Sequence, residues 1–162
     1  MSEQVRKADA QLEWATSNAT QLDAVVRAFN PRPVAYTWLL PEETETRGGD
    51  RGEYLRIFVT EPLHLSADHS GISSSKARGG GVIVAAGEEG IDVLAGGGGI
   101  VRLKEVQPEN GQRMSAAEYC QQQHRHGQRR WRQHQRQLKH GKEFQQPSHN
   151  LLGRRFGNLT TP

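Results

Sequence analysis

The chain has 162 residues and an apolar fraction of 34%, below the roughly 45–50% of an average globular domain, so one core plus a coreless stretch is expected rather than two full domains. Residues 1–120 carry a net charge of −5 and residues 121–162 one of +8, which together make +3. A cationic end without an apolar face suits a polyanion such as nucleic acid and argues against a membrane, and the single cysteine, Cys120, excludes an intramolecular disulfide and a cysteine-based zinc site.

From Met1 to Thr20 there are acidic residues and no apolar run, so this stretch reads as neither a secretory signal nor a mitochondrial presequence. Residues 1–15 are expected to be a linker, residues 16–120 a domain and residues 121–162 a basic tail. Leu22, Val25, Val26 and Phe29 follow one another at helical spacing, which predicts an amphipathic helix over Asn18 to Phe29 capped by Thr16 or Ser17. Asn30-Pro31-Arg32-Pro33 must end it, because proline lacks an amide donor and disfavours helix before it. Phe29, last of the apolar stripe, is expected to anchor this helix on the rest of the fold.

Val34 to Leu40 is β-prone, and Pro41 to Gly52 is a polar, charged loop. Tyr54 to Thr60 alternates, which predicts a strand with Leu55, Ile57 and Val59 on one face and Tyr54, Arg56, Phe58 and Thr60 on the other. Short apolar runs at Val82 to Ala86, Ile91 to Leu94 and Ile100 to Val106 are separated by Gly-rich turns, the pattern of a small antiparallel sheet or barrel. Ser115-Ala116-Ala117-Glu118 has the S-x-x-E pattern that opens a helix at Ala116. Residues 121–146 are rich in Gln, Arg and His with only Trp131, Leu138 and Phe144 as large apolar residues, too few to bury a face. They are read as a low-complexity, largely disordered tail with at most transient helix.

Few residues suggest chemistry. His124, His126, His134 and His140 lie among glutamines that offer no rigid placement for a metal, so they are read as solvated. Gly96 to Gly99 lacks the lysine and helix of a phosphate loop and reads as a turn. Arg56, Arg102 and Lys104 are expected to point away from the inward side chains of their strands and, with Arg27, Arg32 and Arg113, to form a cationic track for a phosphate backbone. Phe58 and Tyr54 share the face of Arg56 and are available for base stacking or for cover by the N-terminal helix. Arg125, Arg129, Arg130, Arg132, Arg136, Lys139 and Lys142 supply the charge of the tail, and Trp131 a stacking group.

The string Val26-Arg27-Ala28-Phe29-Asn30-Pro31-Arg32-Pro33-Val34-Ala35-Tyr36-Thr37 resembles the segment that opens the C-terminal domain of methionyl-tRNA formyltransferases. Ala10-Gln11-Leu12-Glu13-Trp14 is similar to the interdomain linker of that family, and Gly99 to Tyr119 to its closing strand and final helix start. Arg32 stands where the family usually has an aromatic residue, and Ala77 to Gly81 where it has a Pro-Gly-Thr turn. Gly153-Arg154-Arg155-Phe156-Gly157 is similar to the family's ending if residues 121–150 are an insertion.

The resemblance implies a mainly β fold with flanking helices, an oligonucleotide-binding-like β-barrel. It also implies a role in holding initiator methionyl-tRNA through sugar and phosphate contacts. No catalytic residue carries over, because formyl transfer belongs to an N-terminal α/β domain whose βαβ pattern is not in this sequence; 10-formyltetrahydrofolate is expected to bind there, and no cofactor here. A non-catalytic RNA-binding module, or a fragment of a complete or split formyltransferase with a separate catalytic domain as partner, are the alternatives. The compartment stays open: cytoplasmic for a bacterial source, mitochondrial or plastid for a eukaryotic one.

Overall fold

The computed structural model describes residues 6–40, 52–63, 80–137 and 151–157, with the backbone alone over 127–137. A short 3-10 turn at Lys7–Ala10 precedes helix α1 (Ala19–Ala28). The strands are β1 (Tyr36–Leu39), β2 (Glu53–Leu63), β3 (Val82–Gly87), β4 (Gly90–Leu94), β5 (Ile100–Pro108) and β6 (Met114–Ser115); helix α2 (Ala116–Gln137) and β7 (Phe156–Gly157) follow. All pairings between strands are antiparallel, in the order β3-β4-β5-β2-β1-β7 with β6 beside β5. The strands fall where alternation and glycine turns placed them, and the mainly β, oligonucleotide-binding-like fold is the one expected.

The sheet curls until its last segment meets both edges. Leu40 N–H donates to the Arg155 carbonyl at 2.8 Å on the β1 side, while Phe156 N–H donates to the Gly81 carbonyl at 2.8 Å and Ile83 N–H to the Arg154 carbonyl at 2.9 Å on the β3 side. Residues 153–157 therefore satisfy backbone groups of two edge strands at once. Side chains reinforce the closure: Leu151 and Phe156 are buried, and Phe156 stacks on Trp14 with ring centroids 5.6 Å apart.

The core is formed by Leu39, Leu55, Ile57, Ile83, Ile91, Val93, Val101, Leu103 and Val106 from the sheet, Leu22 and Val26 from α1, and Ala116 and Tyr119 from α2. Helix α1 packs on β2 and β5, and α2 lies across β3, β4 and β5. The segment read as a linker is built into this core: Ala10, Leu12 and Trp14 are buried, Leu12 N–H donates to the Tyr36 carbonyl, and Trp14 Nε1 donates to Thr37 Oγ1 at 2.8 Å.

Several local expectations shift. The cap of α1 is Asn18 rather than Thr16 or Ser17; its Oδ1 accepts from the Gln21 amide, and Gln21 Oε1 accepts from the Asn18 amide, both at 2.9 Å. This closes a reciprocal box one residue later than expected. Phe29 does pack as an anchor at the end of α1, half-buried against both the main core and a satellite cluster. In β2, register shifts between Ile57 and Thr60 interrupt the alternation. A bulge adds a residue to one strand and turns the following side chains over, so Val59 is 37% exposed instead of joining Leu55 and Ile57 inside.

Helix α2 begins at Ala116 as the capping box dictates, with Ser115 Oγ accepting from the Glu118 amide at 3.2 Å. It runs to Gln137, well past the point at which the sequence suggested loss of regular structure. Gln and Arg, which make up most of residues 121–137, are good helix formers, and propensity carries the backbone on once packing has started the helix. No described helix is long and apolar enough to cross a membrane.

Candidate nucleic-acid interface

The outer face of the β1–β2 hairpin carries a row of rings because each strand puts alternate residues on one side. Tyr36 and Trp38 of β1 stand opposite Arg56 and Tyr54 of β2, and Arg56 stands opposite Gln107 of β5. The Tyr54 ring meets Tyr36 at 5.1 Å and meets the edge of Trp38 at the same centroid distance. The turn at Lys7–Ala10 covers part of this row through Ala10, which is buried with Tyr36 and Tyr54, and Phe29 packs against the same cluster. Burial, with the neighbouring Tyr54 second, raises the Tyr36 hydroxyl above its ordinary pKa. It stays protonated and donates to Gln11 Oε1 at 3.3 Å.

Cations sit on these rings. Lys7 Nζ is 5.3 Å from the Tyr54 centroid and 5.8 Å from that of Tyr36; the Arg56 guanidinium is 5.7 Å from Tyr54, and that of Arg113 lies 4.4 Å from Phe58. Ring faces attract such charges at short range. The Phe58 carbonyl, at the bulge, accepts from Asn30 Nδ2 at 3.1 Å and so ties the Pro31-Arg32-Pro33 turn to this face. Arg56 also donates to the neutral Gln107 Oε1 at 3.5 Å, and Arg113 donates through Nε and Nη2 to Glu105.

Arg102 and Lys104 are placed differently. Arg102 grips Asp92 with two hydrogen bonds, Nε to Oδ1 at 2.7 Å and Nη2 to Oδ2 at 2.9 Å, and its Nη1 reaches Glu89 at 2.5 Å. The hydrogen bond to Asp92 above all raises the guanidinium pKa, and Asp92 is itself buried. Lys104 Nζ lies 3.9 Å from a Glu61 oxygen and 3.3 Å from the Glu89 carbonyl. The expected track is therefore divided: Arg102 is occupied in a structural pair, and Lys104 contacts the Glu61 carboxylate and the Glu89 main-chain carbonyl.

The other expected residues are scattered. Arg27 pairs with Asp23 at 2.8 Å, an aspartate that also accepts from Thr60 Oγ1 at 2.7 Å and so ties α1 to β2. Arg32 is exposed in the proline turn and Arg125 on α2. Arg129, Arg130, Arg132 and Arg136 belong to the backbone of α2, their side chains outside the described residues, as are Lys139 and Lys142 entirely. Among the described residues no cluster of three metal-ligating side chains occurs. Gly96 to Gly99 joins β4 to β5, and its backbone seats the start of α1: Ala19 N–H donates to the Gly98 carbonyl and Gly97 N–H to the Ser17 carbonyl, both at 3.0 Å.

Residues 4–124 match the family model of the formyl transferase C-terminal domain. The chain belongs to that family. Related formyl transferase sequences include the methionyl-tRNA formyltransferase of Stenotrophomonas maltophilia (strain K279a), 35% identical over 113 residues, 70% of this chain and 30% of that protein. The methionyl-tRNA formyltransferase of Methylacidiphilum infernorum (isolate V4) is 34% identical over 122 residues, 74% and 32% of the two chains, and that of Methylococcus capsulatus (strain ATCC 33009 / NCIMB 11132 / Bath) 35% over 118 residues, 73% and 31%. The formyl transferase C-terminal domain thus spans about three-tenths of the length of these relatives. Leu151 to Gly157 lies beyond the matched residues and still completes the wall of the domain.

Sequence reasoning missed Lys7, which sits in the stretch read as a linker, and the share of Tyr36 and Trp38 in the ring row. The signal for the rings was present: two alternating strands joined as a hairpin place Tyr36 and Trp38 across from Arg56 and Tyr54 once the register is known.

Proposed function

We propose that this chain is a tRNA-binding domain acting in the formylation of initiator methionyl-tRNA, and hence in translation initiation. The observation that carries the reading is its membership of the formyl transferase C-terminal family together with relatives that are methionyl-tRNA formyltransferases. On this reading the domain grips tRNA through sugar and phosphate, contacts that set position and carry little sequence information. Initiator selection, formyl transfer and the site for 10-formyltetrahydrofolate belong to a catalytic part, and no residue here is assigned a catalytic role.

The test is direct binding of the whole chain to methionyl initiator tRNA and to an elongator tRNA. Both are expected to bind with similar affinity and strong salt dependence. With formyltetrahydrofolate and charged initiator tRNA, the chain alone is expected to yield no formylated product. Turnover above background with host enzyme removed overturns the assignment of chemistry elsewhere, and absence of tRNA binding at low salt overturns the RNA role.

A further inference from the structure

We infer that the RNA surface of this domain is the ring-backed stripe Lys7, Arg56 and Arg113 on the outer face of β1, β2 and β5, and that it takes consecutive phosphates of an RNA strand. The inference rests on the reading of the chain as a tRNA-binding domain and specifies which of its faces does the binding. Lys7 is part of it although nothing in the sequence marked it, while Arg102 and Lys104 are not.

Three observations lead there. First, the cations are continuous: Lys7 and Arg56 share the Tyr54 ring, and Arg113 lies on Phe58, four residues further along β2. That separation is about 13 Å at the rise of a strand, long enough to reach more than one phosphate of a nucleic-acid strand.

Second, the cations are held. A cation resting on a ring face has lost much of its rotational freedom before any ligand arrives, so less ordering remains to oppose binding. Arginine stacked in this way still presents hydrogen-bond donors at the edge of its plane, the geometry that suits phosphate oxygens.

Third, the surrounding charges differ from those on the rest of the sheet. Arg56 meets a neutral amide at Gln107, and Lys7 meets two tyrosine rings; Glu105 is the carboxylate that Arg113 contacts. Around Arg102 and Lys104 stand three carboxylates, those of Asp92, Glu89 and Glu61, against two cations. A polyanion is therefore favoured on the first face, where three cations stand with one carboxylate, over the second.

The experiment measures binding of the full chain to tRNA across a range of salt. Replacing Lys7, Arg56 and Arg113 together by Gln is expected to lower the slope of log affinity against log salt by about two units, at roughly 0.7–0.9 per phosphate contact. The charge-keeping set Lys7→Arg, Arg56→Lys and Arg113→Lys is expected to retain the slope, and Lys104→Gln to change it by less than about half a unit. Should the triple variant not fold, Lys7→Gln alone, at an exposed side chain, is expected to lower the slope by about 0.7–0.9.

An unchanged slope in the neutral variants, with the parent chain binding tRNA, overturns the stripe and leaves the tRNA-binding role standing. Equal loss in the charge-keeping set also overturns it, since packing rather than charge is then responsible. Polyglutamate competing as well as tRNA at equal charge overturns RNA as the occupant in favour of an acidic protein. Failure of the parent chain to bind tRNA at all removes the functional reading and the stripe with it.

Discussion

Tyr119 is buried in the core while its hydroxyl donates to Glu53 Oε2 at 2.8 Å, and Gln123 Nε2 donates to the same oxygen at 3.1 Å. Burial first, and the Glu53 charge second, raise the tyrosine pKa far above its ordinary value of 10.0. Because the folded-state pKa lies above the unfolded one, the stability it brings is fully present below about pH 10 and is lost as the pH rises beyond. Tyr119→Phe is expected to cost about 1.5–3 kcal/mol at neutral pH, as a hydrogen bond to a charged group, and to flatten the fall in stability above pH 10, read from urea unfolding at several pH values. One residue on, burial pushes the Cys120 thiol up to about 11. Alkylation of Cys120 at pH 8 is expected to run at least about tenfold slower in the folded chain than in urea, since only thiolate reacts. Phe29 anchors α1 while half-buried. Phe29→Ala is accordingly expected to cost about 1–3 kcal/mol, below the roughly 3–5 kcal/mol of a fully enclosed ring, with a thermal midpoint as the measurement.

Among the elements, those governed by local pattern were legible in the sequence. Helix α1 followed from the spacing of Leu22, Val25 and Val26, the four longer strands after β1 from alternating or short apolar runs between glycines, and the start of α2 from Ser115 and Glu118. What escaped was non-local. The bulge in β2 answers to cross-strand register and to Asn30 bonding the Phe58 carbonyl, and nothing in Ile57-Phe58-Val59-Thr60 announces it. The ring row was half legible, since Tyr54 and Arg56 share a face by alternation, but Lys7 reaches them from a distant segment. The turn at Gly96 and Gly97 shows the same limit: glycine marks a turn, yet the reason no other residue fits is that a Cβ on Gly96 falls 2.2 Å from the Ala15 carbonyl oxygen and one on Gly97 2.7 Å from the Thr16 carbonyl oxygen. Gly96→Ala is expected to destabilise by about 1–3 kcal/mol or more through overpacking against backbone, seen as a lowered denaturant midpoint with Gly87→Ala as the milder control, where nothing lies within 4 Å and the φ is not positive.

For the molecule as a whole, charge and closure are separate matters. Residues 121–162 carry nine of the 21 lysines and arginines against a single acidic residue, and replacing Arg125, Arg129, Arg130, Arg132, Arg136 and Lys139 by Gln keeps the chain length while removing six of those cations. If about four of these cations engage phosphates, the salt slope for tRNA is expected to fall by about three units with no change in sequence preference. The fold is expected to survive this, because the barrel draws on residues 151–157 through backbone bonds and Phe156, not through those charges. Phe156→Ala, by contrast, is expected to cost about 3–5 kcal/mol as the Trp14 stack and a buried ring are lost.

Seen this way, Leu151 to Gly157 is a peptide ligand that the domain carries with it, seated in a slot between β1 and β3 and delivered from the far end of a long helix. Such a ligand binds at the effective concentration of its tether rather than at its concentration in solution, and a domain cut after residue 150 is left with two open strand edges. Supplied separately, the same peptide is expected to restore the thermal midpoint of the cut domain in proportion to its concentration.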